Sequence, residues 1–293
     1  MKKECLSLQN MIEGANRWQL PLDEYLIDFN MRKLYCSQEE LLENMQKMLE
    51  VMEHSIEYGL TGVKSHSGLT GGAAKKYYET NHENCLLGEL GHTAVAYAMA
   101  VGECNAAMGR IVAAPTAGAS GVLPGVLFAL KKHKKLSDNM LQRGMVVAGS
   151  IGMVISERAS LAGATGGCQA ECGSAAAMAA GAAVSMLGGT PKQIGNAVAI
   201  VFKNVLGLVC DPVAGLVEVP CIKRNGACAL QALLAAELAL SGVESFIPPD
   251  EAIDAMKSVG DSLPCSLKET AGGGMATVPT ALKWAQEYFS SKE

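Results

Sequence analysis

The sequence predicts an all-α protein, a compact bundle of many helices whose functional loops gather at one end. Hydrophobic residues make up 49% of the 293 residues, but aromatic residues only 5%. The apolar mass is therefore Ala, Leu, Val and Met, a composition that favours closely packed helices over strands. Apolar residues also recur at helical spacing, and Gly, Pro or Thr separates the periodic segments. The Ala-, Gly- and Ser-rich central helices can approach one another closely, as in a helical bundle.

We expect one domain over residues 1–293, with N-terminal helices at 1–60 and a core at 61–293. Ser37 and Glu40 form a capping-box pattern at the start of an amphipathic helix. This helix carries His54, which we expect to be structural.

The predicted core helices each follow a break in the periodic pattern. Asp138 is the expected N-cap of the third of these helices. Pro191 stands at the first helical position of the fifth, where its missing N–H costs nothing. The predicted ranges are 92–110, 118–132, 140–160, 174–187, 190–205, 225–240, 251–259 and 279–288.

Composition and charge exclude several classes of function. The net charge of −5 gives no electrostatic reason to expect nucleic acid or an anionic membrane. The longest apolar runs, 145–155 and 173–189, are too short or too weakly hydrophobic to span a bilayer. The N-terminus lacks the apolar core and cleavage site of a secretory signal. The ten cysteines are therefore expected to be reduced thiols in the cytoplasm.

Three cysteines suggest a shared metal or iron-sulfur site. Cys168, Cys210 and Cys221 lie in glycine- and proline-rich segments, at spacings of 42 and 11 residues. These spacings fit neither a zinc ribbon nor the compact ferredoxin run. Three thiolates leave one coordination position open, as in catalytic metal sites. Cys172 is either a fourth ligand or a spare thiol, and we favour the spare. The alternative for each cysteine alone is a small buried apolar residue, which we expect for Cys228, Cys104 and Cys85.

Two glycine-rich loops carry polar side chains. The segment 113–125 (AAPTAGASGVLPG) places Thr116 and Ser120 before a helix, where amides and the helix dipole favour an anion such as a carboxylate. A capped turn with close helix packing is the alternative. The segment 59–72 contains Lys64 and His66, which could act as acid or base if desolvated near a metal, or lie in a solvated loop. Further acid-base candidates without a surrounding motif are His82, Glu83, Glu89 and His92.

Four long strings, in the same order along the chain, resemble the alpha subunit of bacterial iron-sulfur-dependent L-serine dehydratase. They are AAPTAGASGVLPGVL, ATGGCQAECGSAAAMAAGA, GLVCDPVAGLVEVPCIKRN and LKETAGGGMATVPT. The likeness extends from about residue 63 to residue 280. It implies a helical catalytic domain in which Cys168, Cys210 and Cys221 hold three irons of a [4Fe-4S] cluster, and the fourth iron is reactive.

The resemblance also implies roles and partners. The implied reaction is the conversion of L-serine to pyruvate and ammonia without pyridoxal phosphate, as part of amino-acid catabolism and gluconeogenesis. A beta portion is fused or separate in this family, and we expect a separate beta subunit and a hetero-oligomer here. Lys64 and His66 are the catalytic candidates. The implied substrate contacts are Ser65, Ser67, Thr116, Gly118, Ser120 and Gly121.

The serine-recognising Ser-His-Thr motif of fused relatives belongs to the beta side, and His66 in KSHSG echoes it. Two alternatives remain open. One is a related hydro-lyase or cysteine desulfidase on the same scaffold. The other is a non-enzymatic protein that binds zinc or senses thiols.

Overall fold

The computed structural model describes residues 6–80 and 85–291, which form thirteen α-helices and no strand. The predicted all-α class is therefore confirmed. The helices are α1 (Leu8–Trp18), α2 (Leu22–Leu34), α3 (Gln38–Leu60), α4 (Ala73–Tyr78), α5 (Gly88–Ala106), α6 (Val122–Lys134), α7 (Asp138–Arg158), α8 (Gly163–Gly166), α9 (Ser174–Met186), α10 (Pro191–Val205), α11 (Cys221–Leu240), α12 (Pro249–Ser262) and α13 (Pro279–Ser290).

Helix α9 forms the centre of the bundle, in contact with α6, α7, α10 and α11. Its sequence is almost entirely Ala, Gly, Ser and Met, and every residue from 174 to 184 is buried. Small side chains allow this close approach. A Cβ atom built on Gly181 would lie 2.2 Å from Cδ1 of Ile151 on α7. The small-residue composition therefore brings the surrounding helices close to one axis.

The N-terminal helices pack on the same core. Helix α1 contacts α10, α2 contacts α7, and α3 contacts α5 and α7. One cluster of buried apolar side chains extends from Leu8 in α1 to Met256 in α12. The predicted capping box of α3 is confirmed, because the Glu40 amide donates to Ser37 Oγ at 3.1 Å and the Ser37 amide to Glu40 Oε2 at 2.8 Å.

Several predicted boundaries are corrected by the structure. Ser137, not Asp138, is the N-cap of α7, because its hydroxyl accepts from the Met140 amide. Helix α6 begins at Val122 rather than at 118, since residues 116–121 form a turn. Helix α11 begins at Cys221 rather than at 225, so this cysteine is helical and not in a loop. The start of α10 at Pro191, behind the Thr190 N-cap, is confirmed.

The functional loops do gather at one end of the bundle. Contacts between side chains link the turn before α6 to the start of α9, and the loop after α3 to the segment before α11. His82 and Glu83 lie outside the described residues. Within the described ranges, no helix has both the length and the apolar character that crossing a membrane requires.

Candidate functional site

The three predicted cysteines lie at helix starts or beside them. Cys168 precedes a π-helical turn, Gln169–Gly173, that continues into α9. Cys210 follows α10, and Cys221 is the first residue of α11. All three are buried. A helix N-terminus carries partial positive charge, which stabilises a thiolate. Cys168 and Cys221 therefore each lie near the partial positive charge of a helix start, and π turns recur at functional sites.

The three cysteine side chains are close enough for the ionised form of one to shift the pKa of another. The hydrogen bond from the Cys172 thiol, followed by the nearby charge of Arg224, lowers the pKa of Cys168. Burial, then the charge of Cys168, raises the pKa of Cys221 to about 12. Burial likewise raises the pKa of Cys210, and the Cys168 charge adds to it. The surroundings therefore lower the pKa of one of the three thiols and raise the pKa of the other two.

Arg224 fixes the segment between the second and third cysteines. Its guanidinium lies 2.8 Å from Oδ1 of Asp211, and it donates to the Val209 carbonyl at 2.8 Å. Asp211 is 3% exposed, and its other oxygen accepts from the Met275 amide at 2.7 Å. This ion pair therefore joins both sides of Cys210 to the start of α11.

A second segment passes beside Cys210. The Cys210 amide donates to the Leu267 carbonyl at 2.9 Å, and the Glu269 amide donates to the Cys210 carbonyl at 2.8 Å. Glu269 has a positive φ of 63°, which is strained for a residue with a side chain and is often found at functional sites. The KETAGGG segment thus forms one wall of the cysteine site.

Two carboxylates face this wall at Gly163. A Cβ atom on Gly163 would lie 3.0 Å from Cys210 Sγ and 3.3 Å from one oxygen each of Glu171 and Glu269. Burial raises the pKa of Glu171. The hydrogen bond from Thr116 lowers this pKa, and the charge of Glu269 raises it further. The absence of a side chain at position 163 therefore leaves space among a thiol and two carboxyl groups.

The predicted anion-binding turn lies against this site. The Thr116 hydroxyl donates to Glu171 Oε1 at 2.5 Å. A Cβ atom on Gly118 would lie 2.6 Å from the same oxygen. The Ser120 hydroxyl is buried and donates to the Ala117 carbonyl at 2.7 Å. The Gly121 amide donates to Asn225 Oδ1 at 3.0 Å. The turn is thus next to the cysteines, but the hydroxyls of Thr116 and Ser120 already have protein acceptors.

The loop that follows α3 approaches the site through hydroxyls and not through its basic residues. Lys64 and His66 are exposed. The Ser67 hydroxyl donates to Glu218 Oε1 at 2.7 Å, and Ser65 Oγ lies 3.2 Å from Ser67 Oγ.

The Thr70 hydroxyl donates to the other oxygen of Glu218 at 2.6 Å. The amides of residues 72–74 donate to buried Glu103. The structure therefore brings Ser65 and Ser67 toward the segment between Cys210 and Cys221, and leaves Lys64 and His66 at its surface.

The other candidate residues lie outside this cluster. Cys172 is fully buried between Cys168 and Cys228, with hydrogen bonds between its thiol and both neighbours. His92 is buried, stacks on Tyr77, and lies 3.2 Å from the Cys85 sulfur. His54 is exposed on α3, and Glu89 lies near His133.

The three cysteines supply the sulfur donors that both zinc sites and iron-sulfur clusters use. Within the described residues, no group of three His, Cys, Asp or Glu side chains is arranged to hold one metal ion. A single zinc would draw thiolates to about 2.3 Å from one point, whereas an iron-sulfur cluster binds each thiolate through a different iron. Three buried thiols, with Arg224 close to Cys168 and Cys221, are donors of the kind that such a cluster binds.

Sequence reasoning did not identify several residues of the site: Glu171, Asp211, Glu218, Arg224, Asn225 and Glu269. All six occur within the quoted strings, so the strings were the only signal available. Their roles depend on contacts between distant segments, such as Ser67 with Glu218, which no local pattern encodes.

Known proteins similar to this chain belong to the same family that the four quoted sequence segments resemble. The family model described as "Serine dehydratase alpha chain" matches residues 2–276. The "Probable L-serine dehydratase, alpha chain" of Bacillus subtilis is 46% identical over 284 residues, covering 97% of this chain and 95% of that relative. The "L-serine dehydratase, alpha chain" of Peptoniphilus asaccharolyticus is 40% identical, covering 96% of this chain and 97% of the relative.

A longer relative aligns differently. The "L-serine dehydratase 2" of Escherichia coli is 37% identical over 252 residues, which cover 82% of this chain but only 54% of the relative. The aligned region is thus about half of that longer protein.

Proposed function

This chain belongs to the serine dehydratase alpha chain family, and from that premise we propose that it is the alpha chain of an iron-sulfur-dependent L-serine dehydratase. The proposed reaction converts L-serine to pyruvate and ammonia without pyridoxal phosphate. The single observation that carries the proposal is the gathering of three buried, mutually interacting thiols from distant segments beside a turn suited to an anion.

We propose that Cys168, Cys210 and Cys221 hold a [4Fe-4S] cluster. When bound, the cluster would supply a Lewis acid, because three thiolates leave one iron without a cysteine ligand, free to polarise the substrate hydroxyl. The positive charge of Arg224 and the start of α11 would stabilise the thiolates. Cys172 would remain a hydrogen-bond donor to Cys168 and not a ligand.

The chain's own residues would bind and orient serine. The turn containing Thr116, Gly118, Ser120 and Gly121 would receive the substrate carboxylate, which would compete with Glu171 for the Thr116 hydroxyl. Ser65 and Ser67 would contact the substrate from the opposite loop.

A base must remove the α-proton as the hydroxyl departs as water. Lys64 and His66 remain the proposed candidates, and they would have to turn inward from their exposed positions. The enamine product would become an imine and hydrolyse in water to pyruvate and ammonia.

We further propose a separate beta subunit, L-serine binding completed by that subunit, and a cytoplasmic hetero-oligomer. Three alignments support the partner. This chain covers almost the whole length of two relatives named alpha chain, but only about half of the longer Escherichia coli relative. The uncovered half would correspond to the beta portion. We also propose that residues 1–293 act as one domain, because one apolar core connects the N-terminal helices with the rest.

The test is anaerobic purification, with and without a beta chain, followed by counts of iron and sulfide and by assays on L-serine. We expect about four irons per chain, activity that needs the beta chain, and loss of activity in air that iron and reductant reverse. Separate alanine substitutions at Cys168, Cys210 and Cys221 should abolish the cluster and lower activity by at least about 10³-fold, as expected when the Lewis acid is lost.

The matched controls are Cys172→Ala and Cys104→Ala, both at buried thiols outside the proposed ligand set. Both variants should keep the cluster absorbance. Full activity in aerobic, iron-free protein would contradict the proposal. Bound zinc without activity would indicate a structural or sensor protein, and preference for cysteine over serine would indicate a desulfidase.

A further inference from the structure

Asn225 is a buried side chain that joins two parts of the site. It lies in the second turn of α11 and is 1% exposed. Its Nδ2 donates to the Gly118 carbonyl at 2.7 Å and to the Cys221 carbonyl at 2.9 Å. Its Oδ1 accepts from the Gly121 amide at 3.0 Å. One amide group therefore spans the proposed carboxylate-binding turn and a proposed cluster ligand.

The bonded turn has little freedom of its own. A Cβ atom on Gly121 would lie 2.1 Å from the Ala98 carbonyl oxygen, so the turn lies directly on the backbone of α5. Gly118 and Gly121 are three residues apart, and Asn225 binds the carbonyl of one and the amide of the other. Asn225 therefore connects the turn directly to α11, while α5 lies against the turn at Gly121.

We infer that Asn225 is a positioning residue, which sets the position of the substrate-carboxylate turn relative to Cys221 and thus to the cluster. This inference rests on the proposed function. Asn225 would act without contacting the substrate, because both of its amide hydrogens and the bond that its oxygen accepts are directed to backbone groups. Its role would be to keep the carboxylate and the hydroxyl of serine at the separation that the reaction requires, since a misplacement of about 1 Å can cost roughly 100-fold.

Asn30 in α2 offers a matched control outside the site. It is 5% exposed, and its Nδ2 donates to the Leu26 carbonyl, four residues earlier, at 2.8 Å and to Ser150 Oγ at 2.9 Å. Asn225 makes the same bond to the carbonyl four residues before it. Substitution at Asn30 therefore reports the structural cost of losing a buried asparagine that makes no bond to the site.

The experiment compares Asn225→Ser with Asn30→Ser in the cluster-loaded chain with its beta partner. We expect Asn225→Ser to raise KM for L-serine by about 10- to 100-fold, with a smaller fall in kcat and unchanged iron content. Hydrogen exchange of residues 113–121 should become faster in this variant alone. The thermal midpoints of the two variants should fall by similar amounts.

Equal KM values for the two variants would overturn the inference. Loss of iron with unchanged exchange at 113–121 would also overturn it, because Asn225 would then act only on the cysteine. If the wild-type complex carries a full cluster but does not act on serine, the proposed function fails, and the exchange comparison alone still decides whether Asn225 positions the turn. Should Asn225→Ser fail to fold, Asn225→Asp, which keeps the acceptor for Gly121 but cannot donate to the two carbonyls, is measured in its place.

Discussion

Ion pairs differ in burial between two regions of the bundle. In the region formed by α1–α3, by α7 on which they pack and by the start of α10, called the far end, they range from the exposed pair Lys192–Glu244 to the partly buried pair Arg143–Asp23. At the cysteine end, Asp211 and Glu218 are buried. Burying a charge is unfavourable unless it is paired and hydrogen-bonded. The cysteine end therefore keeps costly groups in fixed positions, as expected of a site and not of a packing core.

The two regions also differ in where strained backbone occurs. At the far end, non-glycine residues with positive φ, such as Gln19 and Tyr35, stand at helix C-caps, where that conformation is common. At the cysteine end, Ala214, Glu269 and Ala271 adopt it outside helix ends. Strain of this kind persists only where the surrounding contacts hold it. The contrast indicates that the cysteine end tolerates strained backbone in order to hold its side chains in fixed positions, whereas the far end does not.

The largest expected effect comes from breaking a buried pair. Arg224→Met removes the partner of Asp211 and leaves a carboxylate that is 3% exposed without its counter-charge. We expect a loss of about 3–5 kcal/mol in the free energy of unfolding. The measurement is urea denaturation of the cluster-free protein, so that cofactor binding does not contribute.

The corresponding far-end variant is Lys192→Met, which removes one partner of an exposed pair and should cost less than about 1 kcal/mol. Similar losses in the two variants would show that the ends do not differ in this respect.

A smaller effect is expected at the loop after α3. Glu218→Ala removes the acceptor of the Ser67 and Thr70 hydroxyls. Leaving these groups without a partner should cost about 1–3 kcal/mol and speed hydrogen exchange of residues 63–71. Glu40→Ala, which removes half of the exposed capping box of α3, should cost at most about 1 kcal/mol and leave that exchange unchanged. Unaltered exchange in Glu218→Ala would show that Glu218 does not hold the loop.

The smallest expected effect is that of a glycine-to-alanine substitution on stability, and its sign should differ between α7 and the cysteine end. Gly149 is exposed within α7, and a Cβ atom there would meet nothing within 4 Å. Gly149→Ala should therefore stabilise the protein by about 0.5–1 kcal/mol. Gly163→Ala places a Cβ atom 3.0 Å from Cys210 Sγ, and should destabilise by about 1 kcal/mol through overpacking. Thermal midpoints of the two variants check this, and a shift in the same direction would remove the contrast.

Much of the fold could be predicted from local patterns. The capping box at Ser37 and the Thr190-Pro191 start of α10 were predicted correctly, because both signals lie within four residues of the helix end that they cap. Asp138 was predicted to be the N-cap of α7, although the adjacent Ser137 is the residue that caps this helix. Two adjacent capping residues give one local signal, and only the hydrogen bond distinguishes them.

The site could be predicted in part. The three cysteines were identified from their unusual surroundings, but their helical positions were not, since Cys221 begins α11 without a capping side chain. Glu218 and Asn225 were missed because their partners lie more than 100 residues away in the sequence. The roles of Lys64, His66 and the anion-binding turn remain predictions.

The pairing of Cys210 with residues 267–269 has a consequence for biosynthesis. All three cysteines leave the ribosome before the segment that forms the last wall of their site. The nascent chain therefore carries three thiols in an unfinished pocket until Glu269 has emerged. Loading of the proposed cluster into the finished site would therefore follow synthesis of that segment and would be a late step in maturation.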